Sequence, residues 1–172
     1  MDTFRFKLGN LVHLTDPCYD SPENTGEMCF DNNGLYNVAC LEGDWIATRQ
    51  DGYREATPQD RVTGFTVVAE GVGSKALKTK HFRVGVDSGQ FGVFDASIFD
   101  NNSDYDVEDS FYRTVCDITL QDHCGTVFDS GFVSSSGYGD GSYDLFCGFL
   151  DGVLAYASIT FIYDEDEDED AW

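Results

Sequence analysis

The chain has 172 residues, of which 32 are acidic and ten are basic, and its formal net charge is −22. This charge excludes direct binding to nucleic acid or to an anionic membrane, because both would repel the protein. Aromatic residues make up 15% of the chain and glycines number 18, a composition typical of short strands joined by tight turns. The length suits one domain. We therefore divide the chain into a single β-rich domain, residues 1–163, and an acidic C-terminal tail, residues 164–172.

The first fifty residues contain several segments in which apolar and polar residues alternate. Phe4–Leu8 and Leu11–Leu14 each have the two-residue period of a half-buried strand. The Gly9-Asn10 pair between them predicts a hairpin turn. Leu35–Leu41 is a further predicted strand, and we expect Trp45–Arg49 to pair with it as a second hairpin.

The middle of the chain continues this pattern. Residues 51–60 form a predicted polar loop, and Val62–Glu70 is a strand rich in β-branched and aromatic residues. Phe82–Val86 and Phe91–Phe94 are apolar segments on either side of Asp87–Gln90. This arrangement predicts a hairpin or a bulged bend.

One helix is predicted after the polar stretch 100–109. Its apolar residues recur at helical spacing, at Val107, Phe111, Val115 and Ile118. Asp109 or Ser110 can cap the N-terminus, and Gly125 lies beyond the C-terminus.

Three more predicted strands follow the helix, namely Thr126–Ser134, Tyr143–Leu150 and Val153–Tyr163. The last of them alternates over its whole length, and we expect it to be long and central. The total is eight to ten strands with one short helix. The predicted fold class is therefore mainly β, as an antiparallel β-sandwich or a partly open barrel with one short α-helix.

The N-terminal sequence and the lack of a long apolar stretch predict a cytoplasmic protein. The first ten residues lack the features of a secretory signal, and no stretch approaches the roughly 20 apolar residues that span a bilayer. In the cytoplasm the six cysteines are expected to be reduced thiols that pack as small hydrophobic side chains. Their even number also permits a disulfide framework, which a chain of this length does not need. No C-x-x-C pair occurs, so we expect no zinc site on these thiols. We also expect no cofactor.

Five motifs occur in a characteristic order along the chain. They are Thr15–Tyr19 (TDPCY), Gly85–Asp95 (GVDSGQFGVFD), Phe111–Cys116 (FYRTVC), Ser136–Tyr143 (SGYGDGSY) and a closing strand that ends at Phe161. On these residues the chain resembles the bacterial and phage proteins grouped as domain-of-unknown-function family 4241, over about residues 11–161. The resemblance implies one intracellular β-rich domain and directs attention to two clusters of glycine and aspartate. It implies no activity and no catalytic residues.

These two clusters supply the candidate binding residues. The first contributes Asp87, Ser88, Gly89, Gln90 and Asp95, and the second contributes Ser136, Gly137, Tyr138, Gly139, Asp140, Gly141 and Tyr143. Successive glycines allow sharp turns that present backbone N–H groups to an anion, although the lysine of a P-loop is missing. If the two loops meet, Asp87, Asp95 and Asp140 could join Asp16 in a carboxylate cluster that binds a divalent cation or performs acid–base chemistry. The alternative is that each aspartate bonds its own turn.

Other catalytic arrangements have weaker support. The stretch 100–106 resembles a calcium loop but lacks the required glycine and glutamate. A triad could combine His123 with a loop serine and an aspartate, and His13 and His81 are the other two histidines. Cys18 is either a reactive thiol or, more commonly, a buried core thiol.

The sequence therefore favours a non-enzymatic binding or inhibitor-type protein. Its acidic surface would engage a basic, nucleic-acid-binding protein, as a phage or bacterial conflict factor does. The first alternative is a hydrolase or small-ligand-binding protein with a site where Asp87–Gln90 meets Ser136–Gly141. A third possibility is an immunity-type or scaffolding domain whose specificity lies in loops 20–33 and 51–60.

Overall fold

Two antiparallel sheets of six strands each pack face to face in the computed structural model, which describes residues 2–51 and 61–163. In spatial order, the first sheet contains β1 (Thr3–Leu8), β5 (Gly43–Asp51), β6 (Val62–Ala69), β12 (Val153–Thr160), β11 (Gly141–Leu150) and β7 (Lys78–Val86). The second contains β3 (Cys29–Asp31), β4 (Gly34–Ala39), β2 (Leu11–Thr15), β8 (Gln90–Asp95), β10 (Gly131–Ser135) and β9 (Cys124–Thr126). The prediction of a mainly β protein with an antiparallel sandwich is confirmed.

The main hydrophobic core lies between the two sheets. Alternate residues of each strand point inward, and the rings of Phe65 and Phe132, from opposite sheets, are 5.0 Å apart. A smaller core lies on the other side of the second sheet, where Phe94 and Val133 pack against Phe111 and Val115. The second sheet is therefore the middle layer, between the first sheet and the helix.

The predicted helix is present as α1 (Phe111–Asp122). The hydroxyl of Ser110 accepts a hydrogen bond from the backbone N–H of Arg113, and His123 ends the helix in the left-handed conformation at φ 68°. Val107 was predicted to belong to the apolar face, but it precedes the helix and is 53% exposed. The helical spacing of apolar residues could not show that α1 begins after the cap at Ser110, which leaves Val107 outside the helix.

Replacing Ser110 by alanine should lower the free energy of unfolding by about 1 kcal/mol, because the first turn of α1 loses its capping acceptor. Urea denaturation of the variant measures this loss. The control is Ser110→Thr, which keeps an acceptor oxygen and should stay within about 0.5 kcal/mol of the native protein. Equal stability of the alanine variant and the native protein would contradict the assigned cap.

The hairpins predicted from the sequence are wrong. β1 pairs with β5, whereas β2 pairs with β4 and β8, so Gly9-Asn10 carries the chain from one sheet to the other. β5 pairs with β1 and β6 and does not pair with β4. Likewise, β7 and β8 belong to different sheets, and residues 87–89 connect them. Alternation identifies the buried face of a strand but does not identify its neighbour.

Two further expectations concern the number and position of strands. The described residues contain twelve strands rather than eight to ten, because β3 and β9 have only three residues each and show no alternation. β12 lies between β6 and β11, so the prediction of a central strand at this position is confirmed. Asp51, predicted to begin a polar loop at 51–60, is the last residue of β5, and the rest of that loop and the acidic tail at 164–172 lie outside the described residues.

All six cysteines are free thiols. Cys40, Cys124 and Cys147 are buried in the hydrophobic interior, as expected, whereas Cys18 is exposed. Over the described ranges, no helix has the length and apolar character needed to cross a bilayer.

Candidate functional site

The two glycine- and aspartate-rich segments lie side by side. β7 pairs with β11, and β8 pairs with β10, so the β7–β8 and β10–β11 connections both cross between the sheets at the same end. The backbone N–H of Ser136 donates to the carbonyl of Gly89 at 2.9 Å. We call residues 87–89 and 136–140 together the loop junction.

Asp16 is the centre of the polar contacts at the loop junction. Its side chain is fully buried at the end of β2. One carboxylate oxygen accepts from the backbone N–H groups of Asp87 and Ser88, at 2.8 and 2.7 Å. The other oxygen accepts from the Ser88 hydroxyl at 2.6 Å and from the backbone N–H of Cys18 at 2.8 Å. One carboxylate thus fixes the β7–β8 connection to the segment that follows β2.

A chain of side-chain hydrogen bonds continues from Ser88 to the helix. The Gln90 amide nitrogen donates to the Ser88 hydroxyl at 3.2 Å, and the Gln90 carbonyl oxygen accepts from the hydroxyl of Thr119 at 2.8 Å. Beside this chain, the Tyr19 hydroxyl donates to the Asp87 carboxylate at 2.6 Å. The side chains of Asp87, Ser88 and Gln90 therefore each hydrogen-bond another side chain of the protein.

The second loop is held by its own backbone and by Tyr143. The Ser136 hydroxyl donates to the carbonyl of Gly139 at 2.8 Å, and the Tyr143 hydroxyl donates to the same carbonyl. Gly137 and Gly139 have φ values of 65° and 118°, which favour glycine. A Cβ atom at Gly137 would also approach Ile162 to 2.8 Å. These glycines therefore serve the turn itself.

Arg61 fixes the tip of this loop from outside. Its guanidinium donates to the carbonyl of Gly137 at 2.7 Å and lies 4.8 Å from the centre of the exposed Tyr138 ring. Asp140 is exposed, and it makes no hydrogen bond with a described residue. The expectation that Asp140 caps local N–H groups is therefore wrong. Gly141, the first residue of β11, pairs with Val86.

The carboxylate cluster considered from the sequence does not form. Asp95 lies at the far end of β8 from Gln90, where its carboxylate accepts from the backbone N–H groups of Gly9 and Ser97. Within residues 2–51 and 61–163, no three His, Cys, Asp or Glu side chains are arranged to hold a metal ion. In the calcium-like stretch 100–106, Asp100 and Asp104 bond backbone N–H groups of their own turns. The topology separates Asp95 from the other aspartates, which the sequence could not show.

The histidines and the loop serines do not form catalytic pairs in the described part of the chain. Ser134 and Ser136 each donate to a nearby backbone carbonyl. His13 is buried, and its Nδ1 accepts from the backbone N–H of Asn37 at 3.0 Å. His81 bonds the Asp144 carboxylate at 2.8 Å, and His123 caps the helix. The triad considered from the sequence therefore lacks its central hydrogen bond.

Cys18 is exposed, but its chemistry is unfavourable for nucleophilic attack. Loss of solvation and the adjacent Asp16 carboxylate raise the pKa of the Cys18 thiol to about 12. The thiol is therefore protonated at neutral pH, whereas nucleophilic cysteines need a thiolate. Cys18 lines an open polar depression of about 280 Å³ together with Tyr19, Asp20, Asp100 and Tyr112.

Charge is distributed very unequally between the two sheets. The segments that build the second sheet, its connections and the helix are residues 9–42 and 87–140, which contain 17 acidic residues and one basic residue, Arg113. The described segments 2–8, 43–51, 61–86 and 141–163, which build and connect the first sheet, contain six acidic and eight basic residues. The net negative charge of the described residues therefore belongs to one side of the sandwich.

Two loops on that side concentrate exposed carboxylates. The backbone N–H of Ser21 donates to the Asn101 side chain at 2.8 Å, and the Asn101 amide donates back to the carbonyl of Ser21 at 2.8 Å. These contacts join loop 20–27 to loop 100–109, and we call the two loops the acidic face. Its exposed acidic residues are Asp20, Glu23, Glu27, Asp100, Asp104, Asp106, Glu108 and Asp109. The neighbouring Arg113 forms an ion pair with Asp117 on the helix.

Several contacts of the site were not predicted from the sequence. Tyr19 bonds Asp87 across 68 positions, and Arg61 bonds Gly137 across 76 positions. No local pattern signals contacts over such separations.

Comparison with known proteins finds no matching family model, no matching curated protein and no matching solved structure. The resemblance to family 4241 therefore stays an expectation from the motifs.

Proposed function

We propose that this protein is a binding or inhibitor-type protein whose acidic face engages a basic, nucleic-acid-binding protein. The observation that supports this proposal is the segregation of 17 acidic residues and one basic residue on one side of the sandwich. Eight of these carboxylates are exposed on two loops that hydrogen bonds hold together. Such a surface offers a partner an array of negative groups, as a phosphate backbone does.

The charge distribution would also act before contact. A cluster of one sign attracts an oppositely charged partner over a Debye length of about 8–10 Å and increases the rate of association. Because the first sheet carries nearly balanced charge, the attraction would orient the partner toward the acidic face. Salt should therefore weaken the complex chiefly by slowing association.

Other functions have less support from the geometry. A hydrolase or small-ligand site at the loop junction would need polar groups free to meet a substrate, but Asp16, Ser88 and Gln90 bond one another. We therefore place the interaction on the acidic face rather than at the junction. A cytoplasmic role in conflict between phage and bacterium would suit a protein that occupies the nucleic-acid-binding surface of its partner.

The test compares two triple variants that remove equal charge from different faces. Glu23→Gln, Glu27→Gln and Glu108→Gln change exposed side chains of the acidic face. The matched control changes Asp2→Asn, Asp44→Asn and Asp151→Asn, which are exposed on the other layer. Each protein is immobilised, and basic proteins from a bacterial lysate are captured at low salt and identified. The affinity of each captured protein is then measured.

We expect the acidic-face variant to bind its partner about tenfold more weakly than the native protein, while the control keeps most of its affinity. Duplex DNA should displace the partner, because both ligands would occupy the same basic surface. Equal losses in the two variants would indicate non-specific attraction to net charge and would contradict the proposal. Failure of DNA to compete would contradict a partner that binds nucleic acid.

A further inference from the structure

The flank of the sandwich where the edge strands β7 and β3 meet contains a groove. The backbone N–H of Gly85 donates to the carbonyl of Asn32 at 2.7 Å, and the rings of Phe30 and Phe82 are 5.0 Å apart. Beyond this contact the two sheets leave an open cavity of about 590 Å³. We call it the flank groove, and the residues that matter here are Met28, Phe149, Leu150, Lys78, Lys80 and Asp151.

The flank groove combines apolar surface with positive charge. Met28 is 41% exposed there, and Phe149 and Leu150 are half-buried. Lys78 and Lys80 are two positions apart on β7, so their side chains leave the same face of the strand. The Lys80 ammonium is 5.7 Å from the centre of the Phe149 ring. This arrangement places two cations beside an apolar surface.

The local charge balance is opposite to that of the whole chain. Neither the Lys78 nor the Lys80 ammonium forms an ion pair with a described residue. Asp151 supplies one carboxylate to the same groove. Glu27 of the acidic face directly precedes Met28 in the chain, while the residues that line the groove carry two lysines and one aspartate. An anion placed between Lys78 and Lys80 would contact the two ammonium groups.

Lysine on an edge strand also has a purely structural use, since it discourages strand pairing between molecules. That use explains Lys78 and Lys80 at the edge of the first sheet. It does not explain why Met28 and Phe30 are exposed beside them, at 41% and 46%. Exposed apolar side chains grouped in a concave site are typical of ligand binding.

We propose that the flank groove binds a small amphipathic carboxylate, of the class of medium-chain fatty acids. The acyl chain would pack against Met28, Phe149 and Leu150, and the carboxylate would lie between Lys78 and Lys80. The cavity of about 590 Å³ lies within the range of roughly 300–1,000 Å³ that is usual for small-ligand sites. This binding is independent of the proposed function of the acidic face.

The first experiment uses calorimetric titration of the full chain with dodecanoate, below its micelle-forming concentration. Dodecyltrimethylammonium, which carries the same chain on a cation, serves as the comparison ligand. We expect one molecule of dodecanoate to bind, with amide chemical-shift changes at residues 78–80 and 149–152. Preferential binding of the cation, or dodecanoate shifts confined to other residues, would overturn the proposal.

The second experiment tests the assigned contacts. The double variant Lys78→Gln, Lys80→Gln should bind dodecanoate about five- to tenfold more weakly, because two exposed charge contacts are lost. Lys7→Gln removes an exposed lysine at the opposite edge of the first sheet and should leave the affinity unchanged. Unchanged thermal melting of each variant will show that the fold is intact. Equal affinity of the double variant and the native protein would overturn the proposal.

The third experiment examines a competing occupant. Residues 164–170 supply seven carboxylates on the same chain, and a variant of the full chain replaces them with the corresponding amides. We expect this variant to bind dodecanoate within about twofold of the native affinity. If dodecanoate binds only to the amide variant, the acidic run itself occupies the groove, and the proposal of a small ligand is overturned.

Discussion

Replacing Asp16 by asparagine should lower the free energy of unfolding by about 3–5 kcal/mol, because the variant loses a buried carboxylate that accepts four hydrogen bonds. An asparagine side chain of the same shape offers one oxygen and one NH₂ group. The NH₂ group would face either the backbone N–H groups of Asp87 and Ser88 or that of Cys18, and those donors would be left without an acceptor.

Urea denaturation of Asp16→Asn gives the stability loss, and Asp140→Asn is the matched control. Asp140 is exposed at the same loop junction and makes no hydrogen bond with a described residue, so its variant should stay within about 0.5 kcal/mol of the native protein. Similar stability of the two variants would mean that the Asp16 contacts do not stabilise the loop junction. A large loss of stability for Asp140→Asn alone would mean that Asp140, and not Asp16, stabilises it.

The native protein should lose about 3 kcal/mol of His13-dependent stability as the pH falls from 6.5 to about 4. Burial lowers the pKa of His13 to about 4, and the nearby Asp95 carboxylate offsets only part of this effect. Between these two pH values the unfolded chain binds a proton at His13 and the folded chain does not. Protonation of His13 in acid therefore favours unfolding. The stability that depends on neutral His13 is fully present above pH 6.5.

Carboxylates complicate the total pH dependence, because their protonation also relieves the repulsion of a chain with net charge −22. The difference between the native protein and His13→Gln separates the two effects. The variant should be less stable at pH 7, since the packing of His13 against Tyr36 and Phe99 is lost. Its free energy of unfolding should fall less between pH 6.5 and 4 than that of the native protein, because the variant has no His13 to protonate. Parallel curves for the two proteins would contradict a buried neutral histidine.

Local patterns were sufficient for the parts of the fold that depend on neighbouring residues. Alternation identified most strands, and the Ser110 cap with its apolar spacing identified α1. The strand partners could not be obtained in this way, because β1, β5 and β7 have inward faces that suit several neighbours. The chain crosses between sheets at Gly9-Asn10 and at residues 87–89, where the sequence reads as ordinary hairpin turns.

The candidate site was predicted in part. The two glycine-rich segments meet, as Ser136 and Gly89 show. The carboxylate cluster considered as one possibility does not form, because Asp95 lies at the other end of β8 and bonds its own turn, as the alternative held. The unequal charge of the two sheet layers could not be predicted either, because segments of the two sheets alternate along the chain. Only the topology shows that Arg113 is the single basic residue among 17 acidic ones on one side.

The contacts of Asp16 have a consequence for how the chain folds. They join groups 71 and 72 positions apart in the sequence, so a long loop must close before this carboxylate can reach its donors. Closing such long loops costs entropy that local turns do not cost, and proteins rich in distant contacts fold slowly, on scales of about milliseconds to seconds. Before that closure, Asp16 remains hydrated and the end of β2 is unanchored. Formation of the Asp16 contacts therefore requires that distant parts of the chain have already come together at the loop junction.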